Sequence, residues 1–349
     1  MTIQTPLRLY GEHCSPYTRK MLSLLRYRGI SYQLLQGGPG HAPQELPKPK
    51  VDLLPTFYLT SEEGEVEAAV DSTPLIRRFE REFNQCSVIP PDPALEFVDY
   101  LLEDYGDEWL TKAMFHYRWA HQPDAAKAGT LLPLQHTLAL PIGKQEEAQR
   151  IFRQRQISRL YVVGSNENTA EVIENSYQRF LLEFDHILQQ RPFLFGHRPS
   201  AADFAFYGQL TQLAGFDPTP MRVTFEVAPR VCAWVNKMDD LSGQGVGESD
   251  WIERDQLVES LKPLLTEIGR TYVPVMLANA EALERGDPNI QATVDSKLWK
   301  QPAFHYHGRC LQSVRAQYLA LANSDRRWVD ALFFGTGCEG IVNLTTTSR

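Results

Sequence analysis

Apolar and polar positions alternate with strand periodicity only in the first quarter of this chain. Leu7-Arg8-Leu9-Tyr10 reads as a first strand, and a helix runs from Pro16 to about Arg28, ended by Gly29. Ser31–Gln36 is a second strand with Tyr32 and Leu34 on one face. Thr56–Thr60 and Glu65–Ala69 form a hairpin around Ser61-Glu62-Glu63-Gly64. Asp71-Ser72-Thr73 supplies N-cap chemistry ahead of a helix over Leu75–Phe83. With a Gly-rich loop at 37–40 and a short helix around Pro43–Leu46, residues 1–84 read βαβαββα.

Beyond a proline-rich linker, Asn84–Pro93, the period becomes helical. Leu95–Ala120 reads as one long aromatic helix broken only by Gly106. Further helices are expected over 144–163, 168–190, 201–213 and 228–240. From about Ser249 the pattern predicts two long helices, Trp251–Gly269 and Val273–Arg285, and two shorter ones, Cys310–Ala322 and Arg326–Phe334. The expected units are 1–86, 93–248 and 249–349. The apolar faces of the last unit, with Trp251, Trp299 and Trp328, need burial, so it is expected to pack on the helical unit and narrow any cleft there.

The formal net charge of −8, with no Lys/Arg-rich block, argues against nucleic acid as a partner. No apolar run reaches the ~18 residues of a membrane span, and the first residues lack the basic and apolar regions of a secretory signal. Five scattered cysteines without a C-x-x-C pair form neither a disulfide framework nor a zinc site. A reducing cytoplasm is the expected location.

Candidate chemistry centres on Cys14-Ser15-Pro16-Tyr17. Pro16 suits the first helical position, which makes Ser15 the N-cap and puts Cys14 just outside the positive helix end, where a thiol pKa is expected to fall. Glu103, Asp104, Asp107 and Glu108 read as a solvated acidic face. His305-x-His307 has no further ligand spaced nearby, so no metal is expected. Gly335-Thr336-Gly337-Cys338-Glu339-Gly340 matches G-x-G-x-x-G literally. It lacks the helix, second strand and acid that a dinucleotide site needs after it.

Four landmarks in order resemble the glutathione S-transferase superfamily. They are the strand-turn-helix Leu9–Lys20, the apolar-Pro pair Leu54-Pro55, the acidic-Ser pair Asp71-Ser72, and the capping box Ser200–Asp203. The resemblance implies an α/β thioredoxin-like domain followed by an all-α domain, here with a helical extension. It implies a cis Leu54–Pro55 bond and glutathione as co-substrate, bound by Tyr17, Leu54, Pro55, Asp71 and Ser72, with Cys14 or Ser15 as the catalytic group. Cys14 would carry mixed-disulfide chemistry and Ser15 conjugation or displacement, with a lean towards Cys14. Tyr105, Trp109 and His116, with Phe115 and Trp119 beside them, are the expected lining of a pocket for a small hydrophobic second substrate. A detoxifying homodimer is the expected assembly, with a non-catalytic ligand-binding or interaction protein as the alternative. Two features depart from the pattern: Leu53 stands where a lysine is usual, and the C-terminal tail is long.

Overall fold

The computed structural model describes residues 3–35, 45–245, 247 and 250–343. The expected loop at 37–40 lies outside the described residues, as do residues 43 and 44 of the expected short helix at Pro43–Leu46, whose Glu45 and Leu46 form a turn and a bend. Strands β1 (Leu7–Tyr10), β2 (Tyr32–Leu35), β3 (Thr56–Thr60) and β4 (Val66–Ala69) form one sheet in the order β2-β1-β3-β4. β1 runs parallel to β2 and antiparallel to β3, in the register Leu9↔Leu34 and Leu9↔Phe57. Helices α1 (Pro16–Tyr27) and α2 (Ser72–Glu82) complete this unit. Leu7, Leu9, Phe57, Leu59, Leu25 and Phe79 are buried together, with Phe57 edge-on to Phe79 at 5.4 Å. The sequence reading holds here to within three residues at each end of every element.

The helical unit opens with α3 (Pro93–Tyr105), where Pro93 takes the first turn and Asp92 caps the amides of Ala94 and Leu95. At Gly106–Leu110 the helix widens into one π turn before continuing as α4 (Thr111–Ala120). Single π turns of this kind often occur at functional sites. Next come α5 (Gln122–His136), α6 (Ile142–Ile157), α7 (Ala170–Leu188), α8 (Ala201–Leu213), α9 (Pro218–Val227) and α10 (Pro229–Met238). The pattern reading omitted α5 and α9, which carry Pro123, Gly129, Pro133, Pro218 and Pro220 and so look like loops by composition. The capping box at Ser200 is formed: Asp203 accepts from the Ser200 amide at 2.9 Å.

The two units meet along α1 and α8. Gly208 allows this, because a Cβ there would lie 2.5 Å from the Pro16 carbonyl oxygen. Arg118 joins the faces: its Nη1 donates to the Cys14 carbonyl at 3.4 Å, while Nε is held on Asp217 at 2.9–3.0 Å and Nη2 on Gln212 at 2.7 Å.

The last unit differs from its expectation in two ways. A single 32-residue helix, α11 (Arg254–Arg285), replaces the two predicted helices and runs through Pro263 and Pro274. A hairpin of β5 (Asn289–Val294) and β6 (Lys297–Pro302) follows it, where only loop was expected. Its turn, Asp295-Ser296, has φ of 50° and 63°, the two positive values of a tight primed turn. Asp-Ser lacks the glycine that would have signalled such a turn. Helices α12 (His305–Ala320), α13 (Asn323–Phe333) and α14 (Glu339–Val342) complete the chain. Trp299 is fully buried 5.3 Å from Trp109, and Phe97 lies against Tyr318 and Phe333. Among the described residues no helix is long and apolar enough to cross a membrane.

Candidate functional site

The first turn of α1 is built as the sequence predicts. Ser15 is the N-cap, and its Oγ accepts the Thr18 amide at 3.3 Å. A hydroxyl spent as an acceptor still has its own proton to donate. Cys14 behaves differently from its expectation. It packs against an apolar cluster built on Trp119, Ala125, Ala128 and Leu132, with Phe115, Phe152 and Phe216 also against it. Burial pushes its thiol up to about 11, against the lowering effect of Arg118. Desolvation therefore outweighs the helix dipole at this position.

Leu54–Pro55 is cis, and the Thr56 hydroxyl donates to the Leu53 carbonyl at 2.7 Å. Asp71, at φ 78°, leads into α2. Ser72 is buried and Asp71 half-buried. The Tyr306 hydroxyl of α12 donates to Asp71 at 2.9 Å, and Ser72 accepts from Lys20 Nζ at 3.0 Å. Tyr17 turns the other way and donates to the Asp107 carbonyl in the π turn at 2.8 Å.

Lys20 leads into a buried ionic network. Its ammonium also donates to Glu103 at 2.7 Å and to Asp107 at 2.6 Å, and Arg77 pairs with Glu103 from α2. Burial alone would raise Glu103, but the Arg77 and Lys20 charges prevail and hold it at about 2. Beyond lie Asp104, which accepts from Tyr272, and Glu108, 3.0 Å from His307. Glu103, Asp107 and Glu108 are buried and Asp104 is half-buried, which corrects the solvated-face reading. They sit on a segment apolar on every side, with Leu101, Leu102, Tyr105, Trp109 and Leu110 between them, and a helix apolar all round is a buried one. The π turn carries Asp107 and Glu108 into the join between the three units. In α1, Lys20 lies on the buried stripe Pro16-Lys20-Leu24-Tyr27, a signal the sequence reading passed over, as it did Arg77, Lys112 and Tyr306.

Burial raises Asp104 to about 8 and both Asp107 and Glu108 to about 7, while it lowers Lys112 to about 8. A carboxyl raised in this way binds its proton more tightly folded than unfolded. Its contribution is full below the ordinary carboxylate range and is lost as pH rises through about 7–8. Lys112 is charged in both states below about 8 and adds no slope there. Urea midpoints should therefore fall between pH 5 and 8, and Asp104→Asn should flatten part of that fall. Parallel curves for the two proteins would refute the assignment.

Of the expected pocket residues, Tyr105 and Trp109 instead belong to the core. Tyr105 packs on Phe180, Phe206 and Tyr272, and Trp109 donates to Ser176 at 2.7 Å. His116 is buried too, between Ser165 at 2.8 Å and Glu174 at 3.1 Å. Phe115 and Trp119, one helical turn apart, share the apolar cluster against which Cys14 packs.

A four-stranded α/β unit bearing a cis-proline edge and a helix-start serine, joined to a bundle of helices, defines a thioredoxin-like protein with a helical second domain. Family models agree: the N-terminal domain of glutathione S-transferases matches residues 9–87, and their C-terminal domain matches residues 154–243. The chain belongs to the glutathione S-transferase superfamily. No curated protein matches it. Among solved structures it is similar to a GST-like protein from Pseudomonas syringae, at 16% identity over 68% of this chain and 69% of that one, with a TM-score of 0.43. It is also similar to the Tau class glutathione S-transferase of mango, at 17% identity over 74% and 98%, TM-score 0.40. A third is a glutathione transferase family member from Pseudomonas fluorescens Pf-5 with bound S-(propanoic acid)-glutathione, at 19% identity over 66% and 93%, TM-score 0.35.

Proposed function

We propose that this chain is a glutathione-dependent transferase in which Ser15, rather than Cys14, holds the glutathione thiolate. One observation carries the choice. The Ser15 hydroxyl stands at the N-terminus of α1 with its proton unspent, while Cys14 is turned into an apolar cluster with its thiol raised to about 11. Glutathione's cysteinyl backbone would lie along Leu54–Pro55 and its γ-glutamyl end at Asp71 and Ser72. The Ser15 hydroxyl would donate to the sulfur, and the thiol proton would leave to solvent. An apolar electrophile seated against Phe115, Trp119 and Phe216 would then be attacked by the thiolate. Conjugation or displacement fits this arrangement better than mixed-disulfide exchange through Cys14.

The ultraviolet thiolate band of bound glutathione tests this without knowledge of the electrophile. Its apparent pKa should lie below that of free glutathione in the wild type and in Cys14→Ser, and return to the free value in Ser15→Ala. With any accepted electrophile, Ser15→Ala should lower kcat/KM by about 10²–10³, the usual weight of one donor aimed at developing charge. Loss in Cys14→Ser with a silent Ser15→Ala would reverse the assignment.

A second reading, a non-catalytic ligand-binding or interaction protein on the same scaffold, is favoured by the cover that the extension places on Asp71. Glutathione's amino group has to displace the Tyr306 hydroxyl or share Asp71 with it.

A further inference from the structure

Some distance along α4 from the ionic network, two imidazoles and a carboxylate converge from separate elements. His116 comes from α4, His121 is the residue capping α5, and Glu174 comes from α7. His116 Nε2 and His121 Nε2 both point at Glu174 Oε1, at 3.1 and 2.9 Å, and one ligand atom from each residue lies within 4.8 Å of the other two. We propose that His116, His121 and Glu174 form a binding site for a divalent transition metal, Zn(II) in the first place.

The donor set is two neutral imidazoles and one carboxylate, which suits Zn(II) and leaves a fourth tetrahedral position for water. With Zn–N and Zn–O bonds of about 2.0–2.2 Å, ligand atoms around a tetrahedral ion stand roughly 3.3 Å apart. The observed N···O separations fall a few tenths of an ångström short of that, and no pair of ligand atoms is more than 4.8 Å apart, so an ion is reached by side-chain adjustment of the triad. Ligation shifts each neutral ring to its other tautomer: the Nε2 proton that now bridges to Glu174 exchanges with solvent for one on Nδ1, so each imidazole stays neutral and Nε2 is free for the ion.

The surroundings support metal ligation. Ser165 Oγ lies 2.8 Å from His116 Nδ1. As a hydroxyl it can switch from donor to acceptor, which holds His116 in the Nδ1–H tautomer that frees Nε2 for the ion. His121 stacks on Tyr117 at 5.3 Å and 19°, which sets its ring plane. His121 and Glu174 are about one-third exposed, at 31% and 34%, and this gives the ion a path in from solvent. A bound ion would clamp the α4–α5 corner to α7. The sequence reading weighed only His305-x-His307 and expected no metal; positions 116, 121 and 174 are joined by no spacing motif.

The test is calorimetric titration of Zn(II) into the full-length chain after removal of any polyhistidine tag, with Co(II) absorption as a second measurement on the wild type. One ion should bind per chain in the micromolar range or tighter, more weakly at pH 5 than at pH 7.5. Co(II) should give the intense visible bands of a tetrahedral site. His121→Ala and Glu174→Gln should each weaken binding at least tenfold. Failure of the wild type to bind would overturn the proposal. So would binding that both variants retain, or an octahedral Co(II) spectrum.

Discussion

Lys20→Met should destabilise the protein by about 3–5 kcal/mol, the cost of removing one partner from a buried ion pair. Lys20 is fully buried, and its three donors go to Ser72, Glu103 and Asp107. Arg77 would still face Glu103, but Asp107 would lose its ionic partner and take up a proton. The loss should therefore be larger at pH 8 than at pH 6. Adding Asp107→Asn to Lys20→Met should recover part of it, since the neutral amide leaves no buried charge behind. Urea unfolding followed by tryptophan fluorescence reads all three variants. A loss below about 1 kcal/mol would mean that the network is solvated and contributes little.

Trp299→Ala should cost about 3–5 kcal/mol, the range for emptying a buried aromatic site. Trp299 lies on the β5–β6 hairpin, fully buried against Trp109, and its Nε1 donates to Gln301 at 3.0 Å. Through it the extension shares a core with α3, the π turn and α7, so its loss should lower the whole transition rather than split it in two. Thermal unfolding that showed a separate early step, with the main transition unmoved, would make the extension an independent appendage.

Much of the fold was legible because local chemistry and burial agree in the first unit. Leu7, Leu9, Phe57 and Leu59 are apolar at alternate positions and share one buried face of the sheet, and Ser15-Pro16 and Ser200–Asp203 announce helix starts by their own side chains. Legibility failed where tertiary packing overrides local preference. Pro263 and Pro274 sit inside a continuous α11, whose Gly269 lies so close to the Thr336 carbonyl that a Cβ would stand 2.1 Å away. There the glycine marks a close approach of backbones rather than a helix end.

The site was half legible for a similar reason. Ser15, Leu54, Asp71 and Ser72 follow from motifs each only a few residues long. Glu103 and Asp107 stand one turn apart and read as surface charge until Lys20 and Arg77, 83 and 26 residues away, are brought against them. The cover on Asp71 comes from Tyr306, 235 residues distant. No local pattern carries that contact. Cys14 misled because a helix dipole can be read from sequence, whereas the aromatic cluster that desolvates the thiol cannot.

Calorimetric titration of glutathione into the wild type, Ser72→Ala and Tyr306→Phe tests the central claim most directly. The account predicts saturable 1:1 binding in the wild type and a loss of about 1–3 kcal/mol in Ser72→Ala, the cost of breaking a charge-assisted hydrogen bond. It predicts tighter binding in Tyr306→Phe, where Asp71 no longer has to be released by α12. No binding in the wild type and none in Tyr306→Phe would contradict it and leave the scaffold without its glutathione site.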